Sequence, residues 1–159
     1  MGEADRPDPA RIVADADVLA ADLLAGGPAR EVMDLLRAHS WLELVVTDAL
    51  LDDAEAIVRK LSDDGLASDW RSKIEELATV VEQRPGDHPA LAAAYHGGAA
   101  HVLTFDESLQ RARTGAEIRS RVETSVKSPD AFLTLFDPER LHSAIVDGEY
   151  PGPDRDPRA

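Results

Sequence analysis

Arg11-Ile12-Val13-Ala14-Asp15-Ala16-Asp17-Val18-Leu19 changes character in its middle. Its first four residues, apolar after Arg11, form a short run with the pattern of a buried strand. From Ala16 onward Val18, Leu19, Asp22 and Leu23 recur at turn spacing, which predicts a helix to Ala25 that Gly26-Gly27 stops. Asp15 therefore stands at the carboxyl end of a buried strand, where an ionised side chain loses hydration unless it is paired or binds a cation. The same arrangement returns in His101-Val102-Leu103-Thr104-Phe105-Asp106, a third apolar strand ending in Asp106, with a short helix expected from about Glu107.

Between these two junctions the chain alternates helices with short strands. Pro28 suits the first turn of a second helix through His39, and Trp41–Val46 reads as a second strand. Thr47 is placed to cap a helix running to about Leu61. A further helix is expected over Ala67–Gln83, with Leu66, Trp70, Ile74, Leu77 and Val81 on one face. Asp87 is expected to cap a helix over His88–His96, ended by Gly97-Gly98. Arg121–Val126 is a candidate fourth strand, and helices near Pro129–Phe136 and Pro138–Val146 complete the series. Strands separated by helices imply an α/β fold, here a three-layer α/β/α domain with a central, mostly parallel sheet of about four to five short strands. The expected domain spans residues 11–147, between Pro-, Gly- and charge-rich tails at 1–10 and 148–159 that composition marks as disordered.

The charge balance is strongly acidic. Asp and Glu number 31 against 17 Lys and Arg, for a net charge of −14, and only Lys60, Lys73 and Lys127 are lysines. At low ionic strength such a surface repels phosphates. Spread evenly and poor in lysine, it is instead similar to the surfaces of proteins from salt-loving archaea, where in molar salt the Debye length falls to about 3 Å. Net charge thus does not exclude a nucleic-acid substrate. The absence of cysteine excludes disulfides and thiolate metal sites. No stretch approaches the ~20 apolar residues that span a bilayer, and the acidic N-terminus is unlike a secretory or transit signal. A cytoplasmic protein without membrane association is expected.

Two more acidic residues join Asp15 and Asp106. In the helix after Thr47 the apolar stripe is Leu50, Ala54, Ile57, Val58 and Leu61. Asp53 shares that stripe, while Asp52 lies with Glu55 and Arg59 on the solvent side. Asp87 falls four residues before Leu91, at the inner edge of its helix. Asp17 stands at the mouth of the first strand-to-helix turn, and the Thr104 hydroxyl is placed to orient a carboxylate. Single matches carry little weight in so acidic a chain: Asp17, Asp87 and Asp106 could each cap a helix, and Asp53 could be a snorkelling edge residue. The set carries more, since carboxylates gathered at strand ends are the hard oxygen donors that Mg²⁺ and Mn²⁺ prefer.

These segments resemble a PIN domain, in order, over about residues 11–136. Arg11–Leu19 looks like the family's opening strand, and Ser40–Glu55 resembles its second strand and acidic helix. Asp87-His88-Pro89-Ala90-Leu91-Ala92-Ala93-Ala94 is similar to its third acidic motif. Gly97-Gly98-Ala99-Ala100-His101-Val102-Leu103-Thr104-Phe105-Asp106-Glu107-Ser108-Leu109 is similar to its best-marked segment. The chain as a whole looks like a haloarchaeal PIN-like group. The resemblance implies a metal-dependent ribonuclease in which Asp15, Asp53, Asp87 and Asp106 hold one or two Mg²⁺ or Mn²⁺ ions, with Asp17 and Thr104 in support. It also implies RNA as substrate, a homodimer, and an antitoxin-like partner. Asp53 stands where the family usually has Glu, and Phe105 where it commonly has Gly. These departures keep a second expectation open, a catalytically inactive PIN-like binding module.

Overall fold

The computed structural model of the chain describes residues 7–82, 88–111, 124–146 and 148–157. At its centre five strands run parallel: β1 (Asp8–Ala14), β2 (Glu43–Thr47), β3 (Thr79–Val81), β4 (Ala99–Leu103) and β5 (Ser125–Lys127). Their spatial order is β3-β2-β1-β4-β5. Helices α1 (Ala16–Leu24), α2 (Gly27–Ala38), α3 (Asp48–Leu61), α4 (Asp64–Leu77), α5 (Pro89–Gly97), α6 (Pro129–Leu135) and α7 (Pro138–Ile145) flank the sheet. The architecture is the expected three-layer α/β/α. The inner strands are apolar on both faces because both faces are covered: Ile12, Val13 and Ala14, Leu44, Val45 and Val46, and Val102 and Leu103 are all buried.

Strand order reverses between β1 and β4. β1 leads through α1 and α2 to β2 on one side, whereas β4 leads through the helical residues 107–111 towards β5 on the other. Adjacent strands whose connections depart in opposite directions leave a crevice beyond their carboxyl ends, the usual ligand position in open parallel sheets. Residues 15–17 and 104–106 are the segments that leave those two ends.

Three expectations are corrected. The helix expected to continue to Gln83 stops at Leu77, and Thr79-Val80-Val81 is instead edge strand β3, paired with Val45, Val46 and Thr47. Val81 lies four residues beyond Leu77 and so continues the helical period by coincidence. A β-branched run beside the open backbone of β2 favours strand pairing. At the N-terminus, β1 begins at Asp8, whose N–H donates to Gly98 O at 2.6 Å, so residues 8–10 belong to the sheet rather than to a tail.

The C-terminal segment, expected to be unstructured, docks on the end of α2. Tyr150 stacks on His39 and its hydroxyl lies 2.6 Å from His39 Nε2. Asp154 accepts from Ser40 N–H at 2.7 Å, and the N–H groups of Asp154 and Arg155 reach Ala38 O at 2.7 and 3.1 Å. The Arg155 guanidinium donates to the carbonyls of Leu36 and His39, both at 3.2 Å. The last carbonyls of a helix lack intrahelical donors, and this segment supplies them. Composition alone does not reveal such partners.

α5 approaches the sheet closely because Ala90, Ala92, Ala93 and Ala94 are small. At Gly97 there is no room at all: a Cβ there would lie 2.3 Å from Val45 Cγ1. Gly97→Ala is therefore expected to lower stability by about 1–3 kcal/mol, the usual cost of overpacking a dense core. A urea midpoint equal to that of the wild type would show that α5 and β2 are not in this contact.

Candidate functional site

Two carboxylates and one hydroxyl meet at the crevice. Asp15 follows β1 and caps α1, its Oδ1 accepting from Ala16 N–H at 2.8 Å. Its backbone N–H donates to Leu103 O at 2.8 Å, which ties the ends of β1 and β4 together. Thr104, fully buried, donates from Oγ1 to Asp15 Oδ2 at 2.8 Å. The same oxygen lies 3.5 Å from Asp17 Oδ2, and since a hydroxyl has one proton the shorter contact is the bond. Thr104 Oγ1 also accepts the N–H of Asp106 at 3.0 Å. Thr104 N–H in turn donates to Lys127 O at 3.1 Å, fixing the residue against β5.

Asp17 is the poorly compensated member. Its Oδ2 accepts the Phe105 N–H at 3.1 Å, but its Oδ1 is buried and has no hydrogen-bond partner among the described residues. Its carboxyl titrates above the ordinary 3.8, first because it is desolvated and second because the negative charge of Asp15 lies beside it. The N–H groups of Phe105 and Val18 and the Thr104 hydroxyl oppose the shift. Buried Asp22 offers a contrast within the same helix. It faces the Arg37 guanidinium through both oxygens and is a structural ion pair.

Asp106 sits beside this group in another role. Its Oδ1 accepts the Ser108 hydroxyl at 2.6 Å and the N–H groups of Ser108 and Leu109 at 2.9 and 3.3 Å, capping the helical residues 107–111. The Ser108 hydroxyl and Leu109 N–H hold this carboxyl below its ordinary range, and the nearby charge of His88 adds to the effect. Its Oδ2 makes no hydrogen bond among the described residues.

The other expected members stand apart. Asp53 is exposed, not turned inward, and makes no hydrogen bond or ion pair among the described residues. The buried arc of α3 is Leu50, Leu51, Ala54 and Val58. At about 100° per residue Asp53 falls roughly 110° from the centre of that arc, on its flank. Asp52 and Glu55 are drawn to Arg71 of α4, each at 2.9 Å. Asp87 lies outside the described residues. The side chain that caps α5 is that of His88, whose Nδ1 accepts from Ala90 N–H at 3.1 Å. Among the described residues no three His, Asp or Glu side chains are grouped closely enough to hold a metal ion.

Sequence reading ranked Asp17 as a supporting residue, whereas the structure gives it the unpaired oxygen. It also gave no role to Ser108, which fixes Asp106, and noted Lys127 as one of three lysines without placing it at the end of β5 in register with Leu103. One of only three lysines at the end of a short strand was the available signal. A cavity of about 870 Å³ lies elsewhere, between α1, α2, α4 and residues 155–157. Its Arg30, Arg37, Lys73 and Arg155 are balanced by Asp22, Asp69, Glu76 and Asp156, so it presents no net charge. No helix among the described residues is long and apolar enough to cross a membrane.

The chain belongs to DUF7384, a family of unknown function whose model matches residues 6–158. The matched region includes the docked C-terminal segment. No curated protein and no solved structure matches the chain.

Two consequences follow for stability. Because Asp17 is raised in the folded state, the native protein binds more protons than the unfolded chain between pH 3.8 and the folded value, and stability falls as pH rises through that window. Asp17→Asn keeps the acceptor for Phe105 N–H and removes the charge. Without divalent cations it should melt above the wild type at neutral pH, with the difference vanishing below the ordinary aspartate value; equal melting at neutral pH would contradict the account. Thr104→Val leaves Asp15 Oδ2 and Asp106 N–H unpaired and should cost about 1–3 kcal/mol in urea unfolding. Thr104→Ser, which keeps the hydroxyl, should recover most of it. A Thr104→Val variant as stable as the wild type would contradict the account.

Proposed function

We propose that the crevice beyond β1 and β4 is a divalent-cation site and that the protein is a PIN-like ribonuclease dependent on Mg²⁺ or Mn²⁺. The observation that carries this reading is the Asp15–Asp17 pair at the reversal of strand order, with Asp17 Oδ1 buried and without a hydrogen-bond partner among the described residues. Two adjacent carboxylates with no cation beside them are costly to keep ionised, and a hard cation that takes oxygen ligands meets that need. The donors are all oxygen, as such ions prefer. Asp15 and Asp17 form the core of the proposed ligand set, and Asp106, which as it stands is not grouped with both of them, would have to close on the pair to complete it. Asp53 and Asp87 are the members added by the resemblance.

When bound, the cation would supply Lewis-acid activation of water and neutralise charge on a phosphodiester. The residues of the chain do the positioning. Thr104 fixes the Asp15 carboxylate through its hydroxyl and aligns the Asp106 backbone through the same oxygen. Ser108 locks the Asp106 rotamer. Lys127, one strand away, is the nearest lysine by register to offer a positive charge to a phosphate.

The test is cleavage of single-stranded RNA in molar KCl with Mn²⁺. Asp15→Asn and Asp106→Asn should each lower kcat/KM by about a hundredfold or more while leaving the far-ultraviolet circular dichroism unchanged. Mn²⁺ at a hundred times its Kd should stabilise the wild type by about 2.7 kcal/mol, and Asp17→Asn by clearly less. Cleavage retained in either variant would refute the catalytic reading. A wild type that binds RNA but neither cleaves it nor responds to Mn²⁺ would favour the inactive binding module.

A further inference from the structure

We infer that Phe105 is a positioning residue that stacks an unpaired base of a single-stranded RNA at the carboxylate crevice. This rests on the reading of that crevice as a site acting on RNA. The chain has seven aromatic residues of the Phe, Trp and Tyr types. Five are engaged inside: Trp70 is buried in the core, Phe132 and Phe136 stack beside His101, and Trp41 and Tyr150 pack around His142. Only Tyr95 and Phe105 are exposed, and Phe105, 44% exposed, is the one flanked directly by Thr104 and Asp106.

The backbone beneath the ring is fixed. Phe105 N–H donates to Asp17 Oδ2 at 3.1 Å, Asp106 N–H to Thr104 Oγ1 at 3.0 Å, and Gln110 Nε2 to Thr104 O at 3.2 Å. A large apolar ring held in water on so constrained a turn contributes little to folding through burial. The backbone that carries it is, however, already ordered, so that less entropy is lost when the ring takes a planar partner. The charge balance makes such a contact useful. At a net charge of −14, and with exposed charges screened in molar salt, the surface has little Coulombic hold on a polyanion. Stacking is sequence-tolerant because every base presents a π-face. Duplex RNA, whose bases are already stacked, does not offer that face.

The experiment compares the full-length wild type with Phe105→Ala and Phe105→Trp, in molar KCl. Binding of a 5′-labelled single-stranded oligoadenylate is followed by fluorescence anisotropy in an Asp15→Asn background that blocks cleavage. Phe105→Ala should weaken binding about tenfold, whereas Phe105→Trp should bind at least as tightly as Phe. In the cleavage-competent protein, Phe105→Ala should raise KM for the same RNA with kcat nearly unchanged, and leave cleavage of an abasic oligoribonucleotide unaltered. The melting temperature of Phe105→Ala should match the wild type. Unchanged RNA binding in Phe105→Ala would overturn the inference while leaving the nuclease reading intact. Equal losses on the abasic and base-bearing strands, accompanied by a lower melting temperature, would reassign Phe105 to a structural role. A protein that neither binds nor cleaves RNA would remove both readings.

Discussion

A single hydroxyl holds the crevice together. Thr104 Oγ1 gives its proton to Asp15 and takes the N–H of Asp106, so one buried oxygen joins the ends of β1 and β4 to the start of the next helical segment. The backbone bond from Asp15 N–H to Leu103 O reinforces the junction. Because Thr104 satisfies Asp15, the desolvation cost concentrates on Asp17, whose Oδ1 has no donor among the described residues. The arrangement thus places two carboxylates at a sheet terminus with no arginine or lysine paired to them among the described residues. Asp22, more deeply buried on the same helix, shows the alternative solution, an arginine brought from α2.

Much of this was legible in the chain. β1 and β4 close on short apolar runs, Ile12–Ala14 and Val102–Leu103, and an acidic residue follows each within three positions. The alternation with helical periods then requires a parallel sheet with its strand ends gathered on one edge. The order of the elements therefore locates Asp15, Thr104 and Asp106 before any geometry is known. The relation of Asp17 to Thr104 could not be read in the same way, because it joins residues 87 positions apart. Composition also failed for the C-terminal segment. Tyr150, Asp154 and Arg155 sit in a sequence rich in Pro and Gly, yet they meet the unsatisfied carbonyls at the end of α2. A segment is ordered by the partners it finds, and these lie more than a hundred residues away. Asp53 shows the limit of periodicity within a single helix. A stripe drawn through Leu50 and Ile57 includes Asp53, whereas one centred on Leu51, Ala54 and Val58 leaves it on the exposed flank. Both stripes fit the sequence, and the packing of α3 against α1 and α4 selects the second.

The acidic surface and the acidic crevice have different physical meanings. Surface carboxylates remain hydrated, and neighbouring charges matter little once salt screens them. Asp15 and Asp17 are largely withdrawn from water, so screening reaches them far less. A net charge of −14 is therefore no obstacle to the proposed chemistry in high salt, while the local pair still calls for a cation. The same contrast is the reason the hold on RNA proposed above is stacking on Phe105 rather than a basic groove.

The central claim is that the cation goes to this crevice and not to the acidic surface at large. Paramagnetic broadening of backbone amide resonances by substoichiometric Mn²⁺, in molar KCl, tests it directly. The account predicts selective loss of signal at residues 15–17 and 104–109, with α2, α4 and the C-terminal segment unaffected, and loss of the selectivity in Asp17→Asn. Broadening spread over the exposed carboxylates, or identical in wild type and Asp17→Asn, would contradict it.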